Sequence, residues 1–216
     1  MKRIPVIFVL LLFIVVLSSC FGVEADITVN ANGTGTIALE YRVSQALYSL
    51  GRLDGNARWY TIPVGRADFQ RTMDRLPDMR LVSFSSRQDA RDIIVSARME
   101  FSSIQGLLAF LDAGGRRSSF TGNAASGRMV FTLSEGAALA NPEFAALLAG
   151  ISQGYTVRIG MGFPGEGSLA VSDNQGRALT VIPGSEIQSA GRRVSFSFPL
   201  YEVLTARDGM NVEFRW

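Results

Sequence analysis

Between Asp26 and Ser44 the chain reads DITVNANGTGTIALEYRVS, and this stretch constrains the fold more than any other. Apolar residues fall at every second position: Ile27, Val29 and Ala31, then Ile37, Leu39, Tyr41 and Val43. Successive side chains of a strand point to opposite faces, so this alternation gives each strand one apolar and one polar side. The break at Asn32-Gly33 supplies the turn residues of a β-hairpin.

The rest of the chain repeats this with short helical interludes. MRLVSFSS and RDIIVSARMEF read as two strands joined by the polar RQDA, SSFTGNAASGRMVFTLS as a second hairpin, and RRVSFSFPLYEVL and MNVEFRW as late strands, the first running into a short helix or turn. Helical spacing places Phe69, Met73 and Leu76 on one face before Pro77, and Ile104, Leu107, Leu108 and Leu111 on another, with Ser102 or Ser103 as the cap. NPEFAALLAGISQG has a cap candidate in Asn141 and Pro142 in its first turn, and QALYSLG is a shorter helical candidate. Strands, short helices and antiparallel-type turns in this order predict an α+β fold, a largely antiparallel sheet with short helices packed on one side. The expected organisation is one domain over residues 24–216; a division near residues 134–153 into two packed halves is the alternative.

Upstream lies MKRIP and then VIFVLLLFIVVLSSC, ending at the chain's single cysteine. Lys2 and Arg3 form a positive start, and the apolar run from Ile4 to Leu17 falls short of the roughly 20 residues that cross a bilayer. A charged start, a short apolar core and small residues at its end read as an export signal over residues 1–19. LSSC, Leu17 to Cys20, resembles the lipobox of bacterial lipoproteins. The resemblance implies diacylglyceryl transfer to the Cys20 sulfur, cleavage before it, and acylation of the new amino terminus, with palmitate-type chains. Several acyl chains give a stable membrane anchor where one gives marginal binding. An ordinary secretory signal would favour a small residue at −3, where Leu17 stands. Residues 20–23 are then a very short tether. Phe21, in place of the Asp that retains enteric-type lipoproteins at the inner membrane, resembles the pattern that points to the outer membrane.

Composition narrows the chemistry. The formal charge of +2 is carried by Lys2 and Arg3, so the chain from Cys20 onward is formally neutral. It lacks the cationic surface that phosphate neutralisation requires, and nucleic acid is not an expected partner. There is no histidine, and Cys20 is committed to lipid. Disulfides, thiolate catalysis, the usual zinc sites and His-assisted triads are therefore excluded, and neither metal nor cofactor is expected. Beyond Lys2 every cationic side chain is arginine.

Four candidate sites remain. GMGFPGEG, Gly160 to Gly167, is glycine-rich, but no helix follows it and no Lys-Ser/Thr ends it, so it is a hairpin tip rather than a phosphate loop. Its Phe163 and Pro164 are expected as an exposed contact point. Glu40, Glu100, Asp112 and Glu202 are the carboxylates in or near predicted elements; two of them would have to face each other for glycosidase-type chemistry, and the spacing brings no two together. Arg80, Arg87, Arg91 and Arg98 flank one predicted hairpin as possible contacts to an anionic surface, with Asp89 and Asp92 to balance them. Trp216 ends a terminal strand as outer-membrane barrels do, but the helical stripes do not fit a barrel, and a core or edge plug is the simpler expectation.

The acylatable cysteine followed at once by DITVNANGTGTIALEY, with TVRIGMGFPGEGS late in the chain, resembles the LppM-like envelope lipoproteins. That likeness covers residues 24–44 and 155–198 and implies an envelope location but no catalytic residues. The resulting expectation is a membrane-anchored cell-envelope lipoprotein without enzymatic activity, binding an envelope protein partner or supporting an assembly. The alternative is a carrier of lipid or another hydrophobic ligand, and a carboxylate hydrolase comes third.

Overall fold

A computed structural model describes residues 21–45, 48, 64–112, 117–136, 150, 152 and 154–216. The signal segment, Cys20, and most of the helices expected over residues 45–51 and 141–154 lie outside the described residues. The described chain is α+β. In order it forms β1 (Phe21–Val29), β2 (Gly35–Ser44), α1 (Arg66–Met73), β3 (Met79–Gln88), β4 (Asp92–Phe101), α2 (Ile104–Leu111), β5 (Ser118–Gly122), β6 (Gly127–Ser134), β7 (Thr156–Gly162), β8 (Ser168–Ser172), β9 (Glu186–Ala190), β10 (Arg193–Pro199), α3 (Leu200–Thr205) and β11 (Met210–Arg215).

These strands build two sheets, in the orders β3-β4-β2-β1-β7-β10-β9 and β5-β6-β11-β8. The predicted hairpin forms from β1 and β2, with Ile27 opposite Ile37 and Ala25 opposite Leu39. Pairing is antiparallel except between β1 and β7, which run parallel with Val23 opposite Val157. The sequence reading gave one sheet; the separate four-stranded sheet and the parallel pairing are additions to it.

The large-sheet strands turn most of their apolar residues to the same side; Ile94, opposite Arg42 and Arg87, is an exception. Ile27, Ile37, Met99 and Met161 share one row of that face and are fully buried. The second sheet packs over it through aromatic rings: Phe214 of β11 meets Phe131, Phe163 and Phe196 at centroid separations of 6.0, 6.2 and 6.2 Å. Burying one such ring is worth about 1.5–3 kcal/mol. Helix α1 drops Phe69 onto Tyr41 and Phe84 of the same face. Helix α2 starts at Ser103, whose hydroxyl accepts the Gly106 N–H at 3.0 Å and so satisfies a helix-end donor. Its Leu107 is fully buried in the contiguous core that both sheets share.

The register also sorts the two ends of the large sheet. β1 lies in its middle and begins at Phe21, and the same end carries the last residues of β2, β3 and β10 and the first residues of β4, β7 and β9. The opposite end holds the 30–34, 163–167 and 191–192 turns.

Candidate functional site

With its apolar face covered by the second sheet and the helices, the large sheet turns its other face outward. The register places the outward residues in rows across the strands. One row runs Ser83, Arg98, Ala38, Asp26, Gly160 and Ser195, from β3 through β4, β2, β1 and β7 to β10. The adjacent row carries Ser85, Ser96, Glu40, Glu24, Arg158 and Ser197. The floor is therefore made of small residues, with charged side chains standing between them. A side chain at Gly160 would come 3.3 Å from the Arg193 guanidinium, so the glycine leaves room for the arginine to cross the strand.

Most of these charges are paired across the face. Arg193 donates to Asp26, Arg158 lies 3.6 Å from Glu24, and Arg42 lies 3.6 Å from Glu40, which also accepts the Ser96 hydroxyl at 3.1 Å. Exposed pairs of this kind contribute at most about 1 kcal/mol each. Arg98 is exposed on the same face and makes no ion pair among the described residues. Open depressions interrupt the face, and two of them involve its central rows. One, of about 440 Å³, lies over Ala38, Ser83, Ser96 and Arg98. The other, of about 470 Å³, lies toward the Phe21 end among Gly22, Arg42, Arg91, Asp92 and Tyr155.

Tyr155 borders this second depression. Its ring lies against Gly22, where a side chain would come within 2.8 Å of Cδ1, and its hydroxyl donates to the Asp92 carboxylate at 3.0 Å. Both Tyr155 and Asp92 are buried. Sequence reasoning did not find this contact, because 63 positions separate the partners and neither belongs to a motif.

The four arginines of the β3–β4 hairpin do not form one stripe. Arg80 stands toward the far end and donates to Glu100, and Arg98 occupies the middle of the outer face. Arg87 and Arg91 sit by the turn near Phe21. That turn also holds Asp89, whose carboxylate accepts the N–H groups of Asp92 and Arg91 and is held below its usual pKa by those bonds. The carboxylates do not converge either. Asp112 is buried, where it accepts the N–H of Arg117 and both the N–H and hydroxyl of Ser118. Glu202 lies in the first turn of α3. No cluster of three or more metal-ligating side chains occurs among the described residues.

The expectation of an exposed tip at Phe163 is corrected by the structure. Phe163 is 5% exposed, and its ring stacks on Trp216 at 4.6 Å with an interplanar angle of 9°. Phe120 stacks on Trp216 in turn at 5.7 Å, and the indole N–H donates to the Ala124 carbonyl at 2.9 Å. Glycine at 167 is required because a side chain there would come 2.7 Å from the Phe163 ring. The glycine-rich segment thus closes one end of the core, and only Pro164 of the expected pair stays half-exposed.

Among the described residues no helix is long and apolar enough to cross a membrane. No family model and no curated protein matches the chain. Among solved structures it is similar to the NMR structure of the folded domain of LppM from Mycobacterium tuberculosis, at 15% identity and a TM-score of 0.42, over 93% of this chain and 92% of that one. A likeness of that degree transfers neither residues nor function.

Proposed function

We propose that the chain is a lipid-anchored protein of the bacterial cell envelope that works by binding, with the outward face of the seven-stranded sheet as its binding surface. The observation that carries this reading is the asymmetry of that sheet. One face is packed against a second sheet and helices, while the described residues leave the middle of the other open as a floor of small residues with charges standing between them. A partner strand or loop can lie close to such a floor, and the fixed rows of arginine and carboxylate give it a polar register to match. The anchor follows from the lipobox-like LSSC: β1 begins at Phe21, so the sheet would start one residue after the lipid.

The carboxylates weigh against hydrolysis, since Glu40 and Glu100 are engaged with arginines and Asp112 is spent on backbone groups. The mainly polar lining of the depression toward the Phe21 end weighs against carriage of an apolar ligand there. A photo-crosslinking residue placed at Ser83 or at Arg98 is expected to capture an envelope partner in intact cells, and one at Ala170, exposed on the second sheet, is not. Capture at Ala170 alone, or at none of the three, would reject the outward face as the binding surface.

A further inference from the structure

We infer that the Phe21 end of the large sheet is a bilayer-seating surface, on which the phospholipid headgroup layer covers Val181, Tyr201 and Leu204 on one flank of β1 and Arg87 and Arg91 on the other. The inference rests on the lipid-anchored reading above and adds an orientation to it. Its occupant follows from where the apolar N-terminal segment ends. Residues 4–17 and Cys20 lead directly into a strand, and an extended residue spans only about 3.3 Å. The headgroup zone on each side of a bilayer is several Å deep, so an anchor at residue 20 holds this end of the sheet within it.

The side chains at this end suit that layer. Strand β10 finishes here at Pro199 and runs straight into α3, where Leu200 and Val203 are buried. Tyr201 and Leu204, three residues apart on the exposed side of the helix, are 36% and 39% exposed. The turn before β9 comes to the same place: a side chain at Gly184 would lie 3.1 Å from Pro199, and Ser185 donates back to the Ile182 carbonyl. Next to that turn stands Val181, 84% exposed and the most exposed of the large apolar residues described. On the other flank, Arg87 and Arg91 are exposed around the β3–β4 turn, with the Asp89 carboxylate engaged by the backbone of that turn. Tyrosine and leucine at headgroup depth on one flank, with arginines placed to reach phosphates on the other, is the pattern of interfacial anchoring. Scattered exposed apolar residues need no explanation, but three gathered at the end that carries the anchor do. Seated this way, the sheet stands with its strands rising from the bilayer and its outward face accessible from the side.

The test uses the processed full-length protein in vesicles of phosphatidylethanolamine and phosphatidylglycerol, with Cys20 acylated and therefore blind to thiol reagents. Single Val181→Cys, Tyr201→Cys and Arg192→Cys variants are labelled with an environment-sensitive fluorophore, Arg192 lying at the opposite end of the sheet. Labels at 181 and 201 are expected to shift to the blue and to resist an aqueous quencher severalfold better than the label at 192. Leu204→Cys serves as the second reporter should either of the first two fail to fold. Vesicle flotation with all labels equally quenched would overturn the seating surface and leave the anchor standing. Failure to float would overturn the anchor and the seating together.

Discussion

Gly22 has no room for a side chain. A Cβ there would meet the Tyr155 ring at 2.8 Å, while the same ring holds its hydroxyl on Asp92. Gly22→Val is expected to destabilise the protein by about 1–3 kcal/mol, the usual cost of forcing atoms into a filled site, with an earlier midpoint in urea unfolding. Tyr155→Phe removes the donor from a buried carboxylate and is expected to cost about 1–3 kcal/mol in the same measurement. Asp173 supplies a pH test. Its burial works to raise its pKa, but the N–H groups of Arg177 and Gln175 and the Arg177 guanidinium outweigh it and hold the carboxyl below the usual 3.8. A depressed pKa contributes stability that is complete above 3.8 and disappears as the pH falls through the lower folded-state value. Asp173→Asn is therefore expected to lower stability at neutral pH and to flatten the acid limb, read from thermal midpoints across that range. An acid limb as steep as in the parent protein would contradict it.

At the scale of elements, local pattern was legible and partner choice was not. Alternation marked β1 and β2 and their turn, and the helical stripes marked α1 and α2, because in each case the apolar face meets one core. Nothing local could show that β1 pairs with β7 in parallel, a contact set by the tertiary fold across 134 positions at Val23 and Val157. The outward face was illegible for the same reason: Arg193 and Asp26 meet across 167 positions. Phe163 was misjudged because a turn rich in glycine and proline resembles an exposed tip, and the ring that buries it, Trp216, lies just after a later strand with no local link to that turn. Phe163→Ala is expected to cost about 3–5 kcal/mol, since it opens a cavity between stacked rings, and Pro164→Ala to leave stability within about 0.5 kcal/mol. Ser103→Ala removes both the α2 cap and a hydrogen bond to Asp78 and is expected to cost about 1 kcal/mol or somewhat more.

The whole molecule has a polarity that neither its composition nor any single motif announces. The large sheet begins in its middle, at Phe21, with the exposed apolar residues of α3 and the 181–185 turn at that end and the aromatic stack on Trp216 toward the other. Its covered face holds the fold together, and its outward face offers a surface with paired charges and Arg98, which makes no ion pair among the described residues. An anchor at Cys20 would present that surface at a fixed height above the bilayer, which links the lipobox-like sequence to the architecture. The most direct measurement is the intact mass of the protein extracted from membranes. The account predicts a chain starting at Cys20 and carrying the added mass of a diacylglyceryl group and an amide-linked acyl chain. An unmodified chain that retains residues 1–19, or one cleaved without lipid, would contradict it.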